Sequence, residues 1–212
     1  IDAINKINKE EYEEYKDPET LSRIAQYEMA YKMQISVPEV MNINDEPAYI
    51  HEMYGTKPGE ANFANNVLLA RKLVEKGVRF VQLFDWGWDT HGDSAGNAVD
   101  IGLINKCRKV DRPITALILD LKQRGLLDET LVVWMGDFGR TPVINKEAGR
   151  DHWPQCYSMV LAGGGIRGGQ VIGESDATGA YPRLRPVTPA EIHATVFAAL
   201  GYDAQHINYH LT

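Results

Sequence analysis

Four side chains in three short segments have the residue types to hold a divalent cation. Asp89 and His91 lie in Asp85-Trp86-Gly87-Trp88-Asp89-Thr90-His91, and Asp137 lies in Gly136-Asp137-Phe138-Gly139-Arg140. His152 lies in Gly149-Arg150-Asp151-His152-Trp153-Pro154. Asp89 and His91 are two apart, so an extended backbone projects both from one face. A carboxylate oxygen and imidazole nitrogens suit zinc best, with manganese or iron as alternatives. Arg140 and Arg150 have the planar fork that grips an anionic oxygen pairwise. Each residue also has a plainer reading. An aspartate after a strand, Asp85 or Asp89 here, commonly caps a helix or closes an Asx-turn. A histidine beside tryptophan is commonly a packed ring, and the arginines have Asp137 and Asp151 at hand for structural ion pairs.

The elements that must position these residues are legible as apolar runs. Val78 to Phe84, Leu131 to Met135 and Tyr157 to Ala162 read as buried strands, the first two running into an acid and the third into three glycines. Helices are expected at about 60–76, ending at Gly77, and at about 97–124, ending at Gly125 with Pro113 as a kink or restart. Thr188-Pro189-Ala190-Glu191 is a capping box that opens a last helix. Strands alternating with helices predict an α/β domain with a mainly parallel sheet, and sites in such sheets lie beyond the strands' carboxyl ends. Residues 1–58 read as a helical and loop segment packing on a core built from 59–212. Asp17-Pro18-Glu19 is a helix start, and Val37 to Pro58 a long connector.

Composition removes several function classes. The 212 residues carry a formal charge of -7 and have a pI near 5.4, which argues against a sequence-independent nucleic-acid binder, since that would need a basic face. No apolar run approaches the roughly 18 residues of a membrane span. Cys107 and Cys156 are too few for a disulfide framework. Gly163 to Gly168 has the glycines of a dinucleotide loop, but Gly169-Gln170-Val171-Ile172-Gly173 follows where a helix should start. No Gly-x-Ser-x-Gly elbow or Walker loop is present. His206 and His210 read as surface residues, and His193 as a buried structural one.

Taken together, Phe80 to His91, Gly136 to Pro142, Gly149 to Pro154 and the Thr188 to Gly201 helix resemble the DUF1501 family of bacterial proteins, related to sulfatases and alkaline phosphatases. That resemblance implies a three-layer α/β sandwich and a two-metal hydrolase of phosphate or sulfate esters, small-molecule or carbohydrate. Asp89, His91 and His152 would serve mainly one divalent ion (zinc first, then manganese, iron or calcium) and Asp137 the other. Arg140 or Arg150 would hold the ester oxygen. Many relatives carry Glu at the Asp137 position, and several superfamily members carry His at the Phe138 position. The superfamily's nucleophile and first ligand come from a strand unit that has no counterpart before residue 78. The chain, which opens without methionine, is therefore expected to be the C-terminal portion of its domain. Its partner would be the N-terminal half or a second copy, and the resemblance leans toward a periplasmic or other extracytoplasmic location. The rival expectation is a binding or structural module on the same fold, its metal site decayed or structural.

Overall fold

A computed structural model describes residues 2–203, so His206 and His210 lie outside the described residues. The chain divides into two compact units, with the boundary between Asp45 and Glu46. The first contains helices α1 (Asp2–Tyr15) and α2 (Pro18–Met41). Asp17 caps α2 as its sequence suggests: its carboxylate accepts the Glu19 amide at 3.0 Å. The helix continues through Pro38 to Met41, into the segment expected to be a connector.

The second unit begins with the short helix α3 (Ala48–Tyr54), also inside that expected connector, then α4 (Phe63–Glu75) and α5 (Gly102–Gln123). Asn62 caps α4 by accepting the Asn65 amide at 2.8 Å. Gly77 ends the helix with φ of +82°, a left-handed conformation that costs glycine little. The buried stripe of α4 is Ala64, Val67, Leu68 and Arg71, spaced i, i+3, i+4, i+7 as a core-facing helix requires. Pro113 neither restarts nor ends α5; it sits buried inside one continuous helix. Arg112, next to it, donates to the Glu52 and Met53 carbonyls and so satisfies the C-terminal end of α3.

Ile50, Tyr54, Val67, Leu68, Val110, Ala116 and Leu121 form the apolar core of these three helices. At its centre is a charged side chain, Arg71, 1 % exposed. It pairs with Glu46 at 2.8 Å, with Asp120 at 2.9 Å and with Glu75 on its own helix. Tyr54 donates to Asp120 at 3.0 Å, and Arg124 reaches Asp120 at 2.7 Å and Glu75 at 2.5 Å. Burial, followed by the charge and hydrogen bond of Asp120, pushes the Tyr54 phenol far up. Burial opposes the charge on Arg71, but the hydrogen bonds and charges of Glu46 and Glu75 outweigh it and raise the guanidinium further.

The strands differ from the expected sandwich. There is no extensive parallel sheet among the described residues. Six short strands form three antiparallel pairs: β1 (Val132–Trp134) with β4 (Val160–Ala162), β2 (Gly139–Arg140) with β3 (His152–Trp153), and β5 (Glu174–Ser175) with β6 (Pro182–Leu184). The reason is visible in the connections. A parallel pairing needs a crossover, usually a helix, and no helix stands between Trp134 and Val160. The chain therefore returns antiparallel. Val78 to Phe84 is irregular backbone with no strand partner among the described residues, and Phe80 and Phe84 are 70 % and 69 % exposed. Its apolar character marks strand propensity, but a strand exists only against a neighbour. The last helix, α6 (Pro189–Ala199), has the expected capping box, with Thr188 and Glu191 bonding reciprocally. His193 on it is exposed, contrary to the buried role expected of it. No helix among the described residues is long and apolar enough to cross a membrane.

Replacing Arg71 by Ala would strand Glu46, Glu75 and Asp120 without their shared cation, and removing one partner of such a buried network costs about 3–5 kcal/mol. Tyr54→Phe removes one donor from Asp120 and costs about 1–2 kcal/mol. Urea unfolding of both variants measures this; a loss below about 1 kcal/mol for Arg71→Ala would show that the network contributes little.

Candidate metal centre

The segment after Phe84 is held from two sides. Asp85 accepts from Lys109 and, at 2.9 Å, from the Trp88 indole, while Lys106 donates to the Trp86 carbonyl. Asp85 is thus a structural anchor to α5, and the acid that reaches the cluster is Asp89. Asp89 and His91 are not carried on a straight strand. The Thr90 and His91 amides bond two residues back, to the Trp88 and Asp89 carbonyls, each at 3.0 Å. These tight turns bring the two side chains toward one point.

On the other side the 145–150 loop lies against residues 90–92. The Arg150 amide donates to the Thr90 carbonyl at 2.8 Å, and Asn145 donates from Nδ2 to the His91 carbonyl at 3.0 Å. Asn145 also closes its own loop, its Oδ1 accepting the Glu147 and Gly149 amides. The approach demands glycine: a Cβ on Gly149 would stand 1.9 Å from the His91 carbonyl. No sequence motif singles out Asn145. Its signal is a lone amide ahead of a glycine, which many surface turns share.

The β2–β3 pair delivers the rest of the site. Arg140 stands opposite His152, which sets both beside Asp89. His152 Nε2 lies 2.8 Å from Asp89 Oδ1, His91 Nε2 lies 3.0 Å from it, and the two Nε2 atoms are 3.2 Å apart. Arg140 Nη1 donates to the same oxygen at 2.5 Å. His91 presents its other nitrogen, Nδ1, to Asp151 Oδ1 at 3.1 Å. Phe138 packs on His152 with ring centroids 4.5 Å apart, and Arg140 lies over Phe138 at 5.0 Å. Trp153, beside His152, donates to the Ala180 carbonyl at 2.7 Å.

The structure thus brings together three of the four predicted ligands. Asp89, His91 and His152 form a cluster whose ligand atoms all lie within 4.8 Å of one another. Asp137 stands outside it: its Oδ1 accepts from the Phe138 amide at 2.9 Å and from Arg140 at 3.3 Å. Arg140 therefore bridges Asp89 and Asp137. Arg150 braces the loop, donating to the Thr141 carbonyl at 3.1 Å.

Hydrogen bonds and neighbouring charges shift two of these three groups. What burial Asp89 has would raise its carboxyl, but the hydrogen bond from His152 and the charges of Arg140, His91 and His152 hold it below the usual range. The hydrogen bond to Asp151, then the charge of and bond to Asp89, hold His91 above the ordinary 6.5. The donor set fits zinc chemically: two imidazole nitrogens and one carboxylate oxygen are a familiar three-ligand shell. Ligand atoms around a tetrahedral zinc, at bonds of about 2.0–2.1 Å, sit about 3.3 Å apart, close to the contacts seen between these three.

Among known proteins, no curated protein and no solved structure matches this chain. A family model described as a protein of unknown function, DUF1501, matches residues 1–212. With the full span matched, the chain belongs to the DUF1501 family.

Proposed function

We propose that Asp89, His91 and His152 hold one divalent cation, zinc in the first instance, and that the protein acts as a metal-dependent hydrolase of phosphate or sulfate esters. The observation that carries this is the convergence of two Nε2 atoms and one carboxylate oxygen, drawn from the turns at 89–91 and from strand β3. The hydrolase reading adds the family resemblance to sulfatases and alkaline phosphatases. A cation held there would supply Lewis acidity for an attacking oxygen and would offset charge on the ester. The chain's own residues bind and orient. Asp89 and the two histidines fix the cation's place, while Asn145 and Gly149 keep the two loops in register. Arg140, 20 % exposed and bonded to both Asp89 and Asp137, is the cation placed to turn toward an anionic ester oxygen. Arg150 serves this site by holding its loop.

One observation favours the rival reading of a non-catalytic binding or structural module. Asp137 is engaged by Arg140 and stands apart from the cluster, so the described residues bring together candidate ligands for one cation and not two. Turnover of aryl phosphate and aryl sulfate esters, with and without chelator, separates the readings.

After dialysis against buffer containing zinc, the protein should retain about one equivalent by mass spectrometry, and His152→Ala should lose it with an unchanged circular dichroism spectrum. Unchanged metal content in that variant would sink the ligand assignment. Protons compete with the cation for imidazole nitrogen. Because His91 is held above 6.5, zinc affinity should already weaken as pH falls toward that value from above. Calorimetric titration across the range checks this, and affinity independent of pH there would count against His91 as a ligand.

A further inference from the structure

Asp151 sits behind the cluster, and its surroundings fix it unusually well for an exposed acid. Thr141 clamps its backbone from both ends: the Thr141 amide donates to the Asp151 carbonyl at 2.9 Å, and the Asp151 amide donates to Thr141 Oγ1 at 3.0 Å. Its Oδ1 lies 3.5 Å from Asn145 Nδ2 and 3.1 Å from His91 Nδ1. A carboxylate can only accept at this distance, so the proton between them belongs to His91 Nδ1. His91 Nε2 also lies 3.0 Å from a carboxylate oxygen, Asp89 Oδ1, but that oxygen already accepts from Arg140 at 2.5 Å and faces His152 Nε2 at 2.8 Å, so the single proton of the neutral ring goes to Nδ1 and leaves the lone pair at Nε2. His152 differs. Its Nε2 lies 3.2 Å from the His91 lone pair and 2.8 Å from a carboxylate oxygen, so in the metal-free site it is the donor of the pair.

We propose that Asp151 is a positioning residue that locks His91 in its Nδ1-protonated tautomer and aims Nε2 at the cation. This rests on the reading of the cluster as a metal centre. The two histidines then have unequal roles: His91 is ready to ligate before any cation arrives, and His152 must give up its Nε2 proton to do so. Partners of this kind behind a ligating histidine are worth about 10–100-fold in metal affinity.

The test is the His91 tautomer in the metal-free protein, read from long-range nitrogen–proton NMR well above the histidine titration range, alongside zinc affinity from chelator competition. The wild type should show His91 protonated at Nδ1. Asp151→Ala, which leaves the backbone bonds to Thr141 in place, should shift it toward Nε2 and weaken zinc about 10–100-fold. Asp151→Asn keeps an acceptor oxygen at the same reach, so it should hold the tautomer and lose less affinity. A wild-type His91 protonated at Nε2, or a tautomer unchanged in Asp151→Ala, overturns the proposal. Failure of the wild type to bind zinc sinks the metal reading instead, and the tautomer result still decides what Asp151 does.

Discussion

The buried guanidinium of Arg71 is the constraint on which the rest of the second unit depends. A charge removed from water must find partners on every side, and here those partners are Glu46 ahead of α3, Glu75 on α4 and Asp120 on α5. Because Asp120 also takes the Tyr54 phenol, the requirement ties three helices to one point. With α5 placed, Lys106 and Lys109, three apart on that helix, reach the Trp86 carbonyl and Asp85. Those two contacts fix the stem from which Asp89 and His91 project. The order of dependence thus runs from a core ion network, through one helix, to the loop that carries the ligands.

Local signals were legible wherever a short stretch satisfies itself. The Thr188–Glu191 capping box, the Asp17 cap and the glycine after α4 all stand where the sequence places them, because each is settled by bonds a few residues away. Arg71 was hidden for the opposite reason: periodicity read from apolar residues alone passes over a charged member of the buried stripe. The expected parallel sheet fails because apolar runs carry strand propensity but say nothing of what joins them. The stretch from Trp134 to Val160 is rich in glycine, proline and polar residues, and a crossover helix was never available there. Val78 to Phe84 shows the same limit, since strand propensity does not supply a partner.

The candidate site was legible in its residue types and only partly in its geometry. Asp89, His91 and His152 come together although the i, i+2 extended spacing invoked for the first two is not what unites them; successive tight turns do so. The choice between Asp85 and Asp89 needed the structure, because only there does Lys109 claim one of them. Asp137 and Arg140 show how a motif can be physically compact and still split in its contacts, one acid bonding the arginine that also serves the other.

The β2–β3 pair is only two residues long on each side, which is too short to hold its own alignment. Trp153 supplies what the ladder lacks, through its indole bond to Ala180 and its edge contact with Tyr181 at 5.5 Å. The alignment of His152 against Arg140 is therefore stored in a hairpin far along the chain. A slip by one residue would set Asp151 or Trp153 opposite Arg140 and turn the imidazole to the other face. The β5–β6 hairpin thus works as a ratchet stop, and the geometry of the cluster is inherited from a segment that contributes no ligand to it.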